Sequence, residues 1–388
     1  MNLRLEPARL TGSIAAIPSK SAAHRLLICA ALADGETRLR LPSSSADIGA
    51  TLRCLSALGT GFVQDGGDLA VTPIAHAPLQ PVLDCGESGS TLRFLLPLAA
   101  ALTEGASFTG SGRLPERPIG ALLDTLSAHG VAFSGERLPL SLSGRLSPGA
   151  YVLPGNVSSQ YVTGLLLALP LLHGDSDLRL TSPLESAAYV DMTLYALRRF
   201  GVAVASTEYG WRIPGCQRFR SPGALAVEGD WSNAAFFLAA GALTGPITVT
   251  GLDPASPQGD KAVAGLLLGR DAARAEPGAP VSISPEAASL PAEIDVSGVP
   301  DLLPILAVVA ANRPGETHFT GGARLRMKES DRLSAVTAML TALGGNITEL
   351  PDGLIVRGGS LAGGVVDSRH DHRIAMAAVF LMKGANDA

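Results

Sequence analysis

The chain of 388 residues has few aromatic residues (4%) and few charged ones (17%). So few rings leave little for stacking nucleic-acid bases, and a net charge of −5 gives no global nucleic-acid footprint. Cysteine is also scarce: Cys29, Cys54, Cys85 and Cys216, none in a C-x-x-C pair. Each sits among apolar or small residues, so buried thiols in a reducing compartment, the cytoplasm, are expected. A zinc site is the poorer reading. The longest apolar runs, 165–172 and 302–311, are too short to span a bilayer. The run at 25–34 imitates a signal peptide but starts too deep in the chain, and reads as a buried helix.

Standard signatures are missing too. "IPSKS" resembles the end of a phosphate loop, but Ser19 stands where the glycine before lysine is needed. No G-x-G-x-x-G lies between a strand and a helix, and there is no G-x-S-x-G elbow. His370-Asp371-His372 gives alternate positions, not the i, i+4 spacing of helix-borne zinc ligands. Nucleotide, serine-hydrolase and zinc chemistry are therefore disfavoured, and no metal or cofactor is expected.

Hydrophobic residues make up 46%, enough for two domains with sizeable cores, and the 44 glycines and 27 prolines mark many short turns. Recurrence organises the rest. Six times an apolar helical run ends near a glycine, and a strand-like run follows. These are Gly35, Gly105, Gly174, Gly245, Gly315 and Gly384, spaced by 70, 69, 71, 70 and 69 residues. A glycine there is expected to end the helix in a left-handed conformation. A second series, Gly59, Gly130, Gly201, Gly269 and Gly344, follows each of the first five by 24 to 29 residues. Two interleaved series with near-constant steps make chance a poor explanation. The spacing predicts six α/β units of about seventy residues, each with a buried first helix and an amphipathic second one. The opening strand within 2–10 is expected to pair with the last unit. By the same spacing, another helix end should fall about 25 residues past Gly384, so the last unit reads as incomplete.

Polar clusters precede the first helix of each unit: "PSKSAAHR" (18–25), "GESGSTLR" (86–93), "NVSSQYV" (156–162), "EGDWSNAA" (228–235), "VPDLLP" (299–304) and "RHDHRIAM" (369–376). One such cluster is ordinary helix capping. Capping alone does not require basic, hydroxyl and amide side chains at equivalent places in successive units. Helix N-termini bind anions, and Lys20, Arg25, Arg93 and Arg373 add positive charge there. A small substrate carrying several phosphates or carboxylates is expected. Asp371 is expected to cap its helix, with His372 and Arg373 facing an anion. "ARLRMKESDRL" (323–333) packs six charged residues into nine positions. A salt-bridged helix start is the bland reading for such a run. Its place, read as the start of the fifth unit's second helix, favours a site.

Taken in order, "PSKSAAHR", "ESGSTLRF", "LPERPIG", "SSQYVTGLL", "AAYVDMT", "VEGD", "VPD", "RMKESDRL" and "DHRIAM" resemble the 5-enolpyruvylshikimate-3-phosphate synthases (3-phosphoshikimate 1-carboxyvinyltransferases) from residue 18 to residue 376. Each stretch alone is weak; the ordered set is specific. The resemblance implies an α/β fold of two similar domains, each of three βαβαββ repeats, with helix N-termini facing an interdomain cleft. It places one domain at 18–228 and the other at 1–17 plus 229–388, with the last repeat truncated. It implies a monomer, and transfer of the enolpyruvyl group of phosphoenolpyruvate to the 5-hydroxyl of shikimate 3-phosphate, without metal or organic cofactor. Chemically, that needs a base at the hydroxyl, an acid near C3 and cations around the phosphates and carboxylate.

Carried over by motif, Lys20, Ser21, Arg25, Ser158, Ser159, Gln160, Ser186, Tyr189, Asp301 and Lys328 would hold shikimate 3-phosphate. Lys20, Gly89, Arg117, Gln160, Arg332, His372 and Arg373 would hold phosphoenolpyruvate. Asp301 is the expected base and Glu329 the expected acid, with Lys20 the third catalytic residue. Three departures from the family stand out. Glu87 and Arg324 replace common asparagines, which a compensating pair between them would explain. A further strand and helix carrying a binding lysine is expected after the "DHR" unit, and the sequence has neither. Two rivals follow. One is the related transferase acting on UDP-N-acetylglucosamine, disfavoured by "SSQY", "RMKESDRL", the short length and the lack of a matching cysteine loop. The other is a truncated, non-catalytic ligand-binding relic.

Overall fold

The structure is a computed structural model that describes residues 4, 6, 8–269 and 279–380. Gly384, the expected sixth helix end, lies outside them. The chain forms two compact units, Pro18–Val227, and Met1–Ile17 with Glu228–Ala388. Each has its own apolar core, one around Leu27, Phe94 and Leu166, the other around Trp231, Leu306 and Leu333.

The helices are α1 (Lys20–Ala31), α2 (Ala46–Ala57), α3 (Gly89–Leu102), α4 (Gly120–Ser127), α5 (Ser159–Ala168), α6 (Ala187–Arg199), α7 (Trp231–Leu243), α8 (Ala262–Leu268), α9 (Leu303–Ala311), α10 (Arg332–Ala342) and α11 (His372–Phe380). Four sheets share one plan. A first strand runs parallel to a second, and the second is antiparallel to a strand that closes a hairpin. Val82–Asp84, Gly105–Thr109, Leu140–Ser143 and Ala132–Phe133 form one. Ala150–Leu153, Ser176–Leu180, Gly210–Ile213 and Ala205–Thr207 form the next. In the sheet containing Thr37–Arg40, the first strand is Ala224–Ala226, from the far end of that unit. Glu293–Asp295, Glu316–Thr320, Gly353–Arg357 and Asn346–Leu350 repeat the plan in the other unit.

The first strand among the described residues is Gly12–Ala15, which lies parallel to Ile247–Thr250 of the fourth unit; of the segment 2–10 expected to pair with the last unit, residues 2, 3, 5 and 7 lie outside the described residues. Gly245 permits the approach. A Cβ there would stand 2.6 Å from Thr11 Cγ2 and 3.2 Å from the Leu10 carbonyl oxygen.

The first helices are mostly buried, and all nine residues of α9 are; α11 differs from the expectation, burying only Arg373, Ile374, Ala377 and Phe380. The second helices bury a stripe, as α6 does with Val190, Met192, Thr193, Ala196 and Leu197. The second glycine series lies at positive φ throughout, between 59° and 105°, where an L side chain would be strained. The first series differs from expectation. Gly35, Gly105 and Gly245 are not left-handed; a Cβ would be crowded at Gly105 by the Leu142 carbonyl oxygen at 3.2 Å and at Gly245 by Thr11 Cγ2 at 2.6 Å. Cys29, Cys54 and Cys85 are buried, but Cys216 is exposed, in a left-handed turn at φ 52° that points it away from the core. Among the described residues no helix is long and apolar enough to cross a membrane.

Candidate active site

In the 18–227 unit, α1, α3 and α5 begin on serine caps. Ser19, Ser88 and Ser158 accept hydrogen bonds from the backbone of Ala22, Thr91 and Gln160 at 3.3, 3.2 and 3.3 Å. Lys20 follows the first cap, with Nζ 2.8 Å from Asp47 Oδ2. Ser21 gives its carbonyl to Arg25 Nη1 at 2.7 Å. Arg25 is 2% exposed and donates further to Thr193 Oγ1 at 2.8 Å and to the Tyr189 carbonyl at 2.7 Å. Burial pulls its pKa down to about 10, still charged at neutral pH. His24 Nδ1 starts a hydroxyl chain through Thr51 and Thr91 to Ser88. Burial, then the Lys20 ammonium, holds its imidazole down to about 3, so it is neutral.

Gly89 opens α3 where two cations converge. A Cβ there would lie 2.5 Å from Arg93 Nη1 and 2.7 Å from Arg117 Nη1. Arg93 Nη1 donates to Gln160 Oε1 at 2.9 Å. Gly164 lets α5 press on α3, since a Cβ there would stand 2.3 Å from the Arg93 carbonyl oxygen. Ser159 is 5% exposed. Ser186, 3% exposed, starts α6 in the left-handed region at φ 54°. Such a serine costs about 1–3 kcal/mol, and strain of this kind persists where its surroundings fix it, often at a functional site. The Glu87 carboxylate lies over Gly112, where a Cβ would be 2.7 Å from Oε1.

In the 228–388 unit, Asp301 sits in a short 3₁₀ turn (Pro300–Leu302) leading into α9. Arg332 Nη1 donates to its Oδ1 at 2.7 Å and Arg373 Nη2 to its Oδ2 at 3.0 Å. Arg332, at 1% exposure, also donates through Nη2 to Glu329 Oε2 at 2.7 Å and through Nε to Asp371 Oδ2 at 2.8 Å. Burial works against its charge, but Glu329, Asp301 and Asp371 outweigh burial and hold it above the usual range. Two of the expected catalytic residues, Asp301 and Glu329, therefore share one guanidinium. Lys328 is lowered by burial and by Arg332, against Asp301 and Glu329.

Asp371 caps α11, accepting from the Arg373 N–H at 2.9 Å, and Ser330 Oγ also donates to it at 3.0 Å. The aspartate between the two histidines thus serves an arginine. Arg373 bonds the Asp301 carboxylate, an anion supplied by the chain itself from the turn before α9. His372 is exposed.

The charged run is divided by the fold. Residues 323–327 form a 3₁₀ turn rather than the start of α10, which begins at Arg332 behind the Asp331 cap. Arg326 bonds Asp331 at 3.0 Å and Glu349 at 2.7 Å, an ordinary structural pairing. Six positions on, Arg332 belongs to the site.

The sequence reading left Asp47, Asp371, Thr163, Thr193 and Asp260 out of the site. Asp260 is 6% exposed beside α7, and burial, then the Asp301 charge, pushes its carboxyl up to about 6, against Arg373 and Ser232. In sequence it is one acidic residue in the polar, turn-like run "DPASPQGDK" (253–261), which marks a loop and not a site.

The EPSP synthase (3-phosphoshikimate 1-carboxyvinyltransferase) family model matches residues 5–386. A 3-phosphoshikimate 1-carboxyvinyltransferase of Clostridium kluyveri is 42% identical over 96% of this chain and 88% of its own length. The chain belongs to the EPSP synthase family. Another EPSP synthase-family relative, a 3-phosphoshikimate 1-carboxyvinyltransferase of Halobacterium salinarum, is 41% identical over 97% of this chain and 91% of its own. The solved EPSP synthase of Acinetobacter baumannii superposes with a TM-score of 0.80 at 27% identity, covering 98% of this chain and 92% of that one. The α/β enolpyruvyl transferase fold is therefore established.

Proposed function

We propose that this chain transfers the enolpyruvyl group of phosphoenolpyruvate to the 5-hydroxyl of shikimate 3-phosphate and releases phosphate, as its family does. The 5-oxygen bonds to C2 of the enol phosphate as C3 takes a proton. The tetrahedral adduct then loses that proton from C3 and expels phosphate. In the 18–227 unit, Lys20, Ser21, Arg25, Ser158, Ser159, Gln160, Ser186 and Tyr189 hold shikimate 3-phosphate. Gly89, Arg117 and Gln160 hold phosphoenolpyruvate, with Lys20 touching both. In the other unit, Asp301 takes the hydroxyl proton, Glu329 serves C3, Lys328 lies beside the ring, and Arg332, His372 and Arg373 hold phosphoenolpyruvate.

The observation that carries this reading is the pairing of Asp301 and Glu329 on the buried Arg332. One fixed cation orients both carboxylates, so the proposed base and the proposed acid are held in one place. The relic reading is not favoured: the chain spans 88 to 91% of its relatives' length and keeps both carboxylates. The test is phosphate release with both substrates supplied, against each alone. Release that needs both supports the reading; none with both, from a folded sample, overturns it. We further propose a monomer working in the cytoplasm.

A further inference from the structure

Gln160 is assigned above to both substrates, and an amide can present either of two opposite faces to an anion. Its oxygen repels a phosphate or carboxylate oxygen; its NH₂ group donates to one. The surroundings of Gln160 settle which face points where. Arg93 Nη1 lies 2.9 Å from Oε1, and a guanidinium is a donor only, so the amide oxygen must face Arg93. Nε2 then faces Ser90 Oγ at 2.9 Å. Among the described residues Ser90 takes one of its two N–H groups, which leaves the other for a ligand.

Arg93 is itself fixed. It is 5% exposed, and its Nη2 donates to the Pro118 carbonyl at 3.1 Å. Its guanidinium carbon lies 5.9 Å from the Tyr161 ring centroid, and the Tyr161 hydroxyl donates to the same Pro118 carbonyl at 2.7 Å. Tyr161 and Gln160 are neighbours on α5, so one turn of helix both holds Arg93 and receives its hydrogen bond. A rigid planar fork suits this task better than a lysine, whose single ammonium cannot hold two acceptors in one plane.

We propose that Arg93 is a positioning residue that fixes the polarity of the Gln160 amide, so that Gln160 offers N–H, and not oxygen, to the bound anion. The proposal rests on the reading that Gln160 touches substrate. Its test begins with Gln160→Glu. That change strengthens the contact with Arg93 but replaces the outward donor by an anionic acceptor. The expected result is a melting temperature equal to or above that of the unchanged protein, with the KM for phosphoenolpyruvate raised about tenfold or more. A KM within about twofold of the unchanged value would overturn the proposal.

Arg93→Lys, made alone and in a Gln160→Ala background, separates positioning from direct binding. Positioning predicts that Arg93→Lys raises KM when Gln160 is present and changes nothing once Gln160 is gone. Equal losses in both backgrounds overturn the inference and leave the reading of the site intact. Gln160→Ala with unchanged KM for both substrates overturns the reading itself, and the inference with it.

Discussion

The two units hold their buried arginines in opposite ways. In the 18–227 unit, Arg25 and Arg93 hydrogen-bond to hydroxyls, backbone carbonyls and an amide. In the 228–388 unit, Arg332 and Arg373 bond the carboxylates of Asp301, Glu329 and Asp371. Neutral partners orient a guanidinium without offsetting its charge, which at Arg25 stays available to an incoming anion and at Arg93 turns the Gln160 amide. Carboxylate partners offset part of the charge and are held in place by it. The second arrangement therefore orients the carboxylates proposed to move protons beside cations proposed to meet phosphoenolpyruvate. Lys20, a candidate site cation of the first unit, is instead paired with Asp47 at 2.8 Å. That ion pair is about one-third exposed, so solvent screens it and its contribution is small.

The contrast can be broken most sharply at Asp301. Asp301→Asn keeps an acceptor for Arg332 but removes the base, so kcat should fall about 10²–10⁴-fold while shikimate 3-phosphate affinity, read by calorimetry, stays within a few fold. A fall of less than tenfold would sink the base assignment. Next comes stability. Arg332→Met strands Asp371, whose side chain is fully buried, and should cost about 3–5 kcal/mol in urea unfolding. Arg25→Met removes a cation from neutral partners and should cost less, about 1–3 kcal/mol, while weakening shikimate 3-phosphate binding. If the two substitutions cost the same, the distinction between the units has no energetic meaning.

The smallest effect concerns Asp260. Its folded pKa of about 6 lies above the ordinary 3.8, so the folded protein binds its proton more tightly than the unfolded chain. Stability from this group is full below pH 3.8 and is lost as pH rises through about 6. Asp260→Asn should therefore melt above the unchanged protein at pH 7–8, by about 2 °C or more, with the gap closing below about pH 4. Parallel melting curves across that range would remove Asp260 from the electrostatics of Asp301.

Much of this was legible in the sequence wherever the cause is local. The caps Ser19, Ser88, Ser158 and Asp230 were readable because a side chain that bonds an N–H two or three residues on is a neighbour in sequence. The second glycine series was readable because a left-handed residue ends a helix where it stands. The first series misled, since a glycine needed for close approach looks the same in sequence as one needed for φ. Arg326 and Arg332 could not be told apart within one charged run, and nothing in the polar run around Asp260 announced its neighbours. The ordered motifs identified the family, but they did not say that Asp301 and Glu329 meet on one guanidinium.

The sequence by itself determined the period of the chain, its buried first helices and the capped helix starts that the family's site residues occupy. Each follows from hydrogen bonds and apolar spacing over a few residues. Only the tertiary structure decided the partners. Arg332 finds Asp301 across 31 residues and Asp371 across 39, and Arg93 finds Gln160 across 67. Charge and hydrogen bonding act over ångströms in space, so a partner's distance along the chain does not show whether the two will meet.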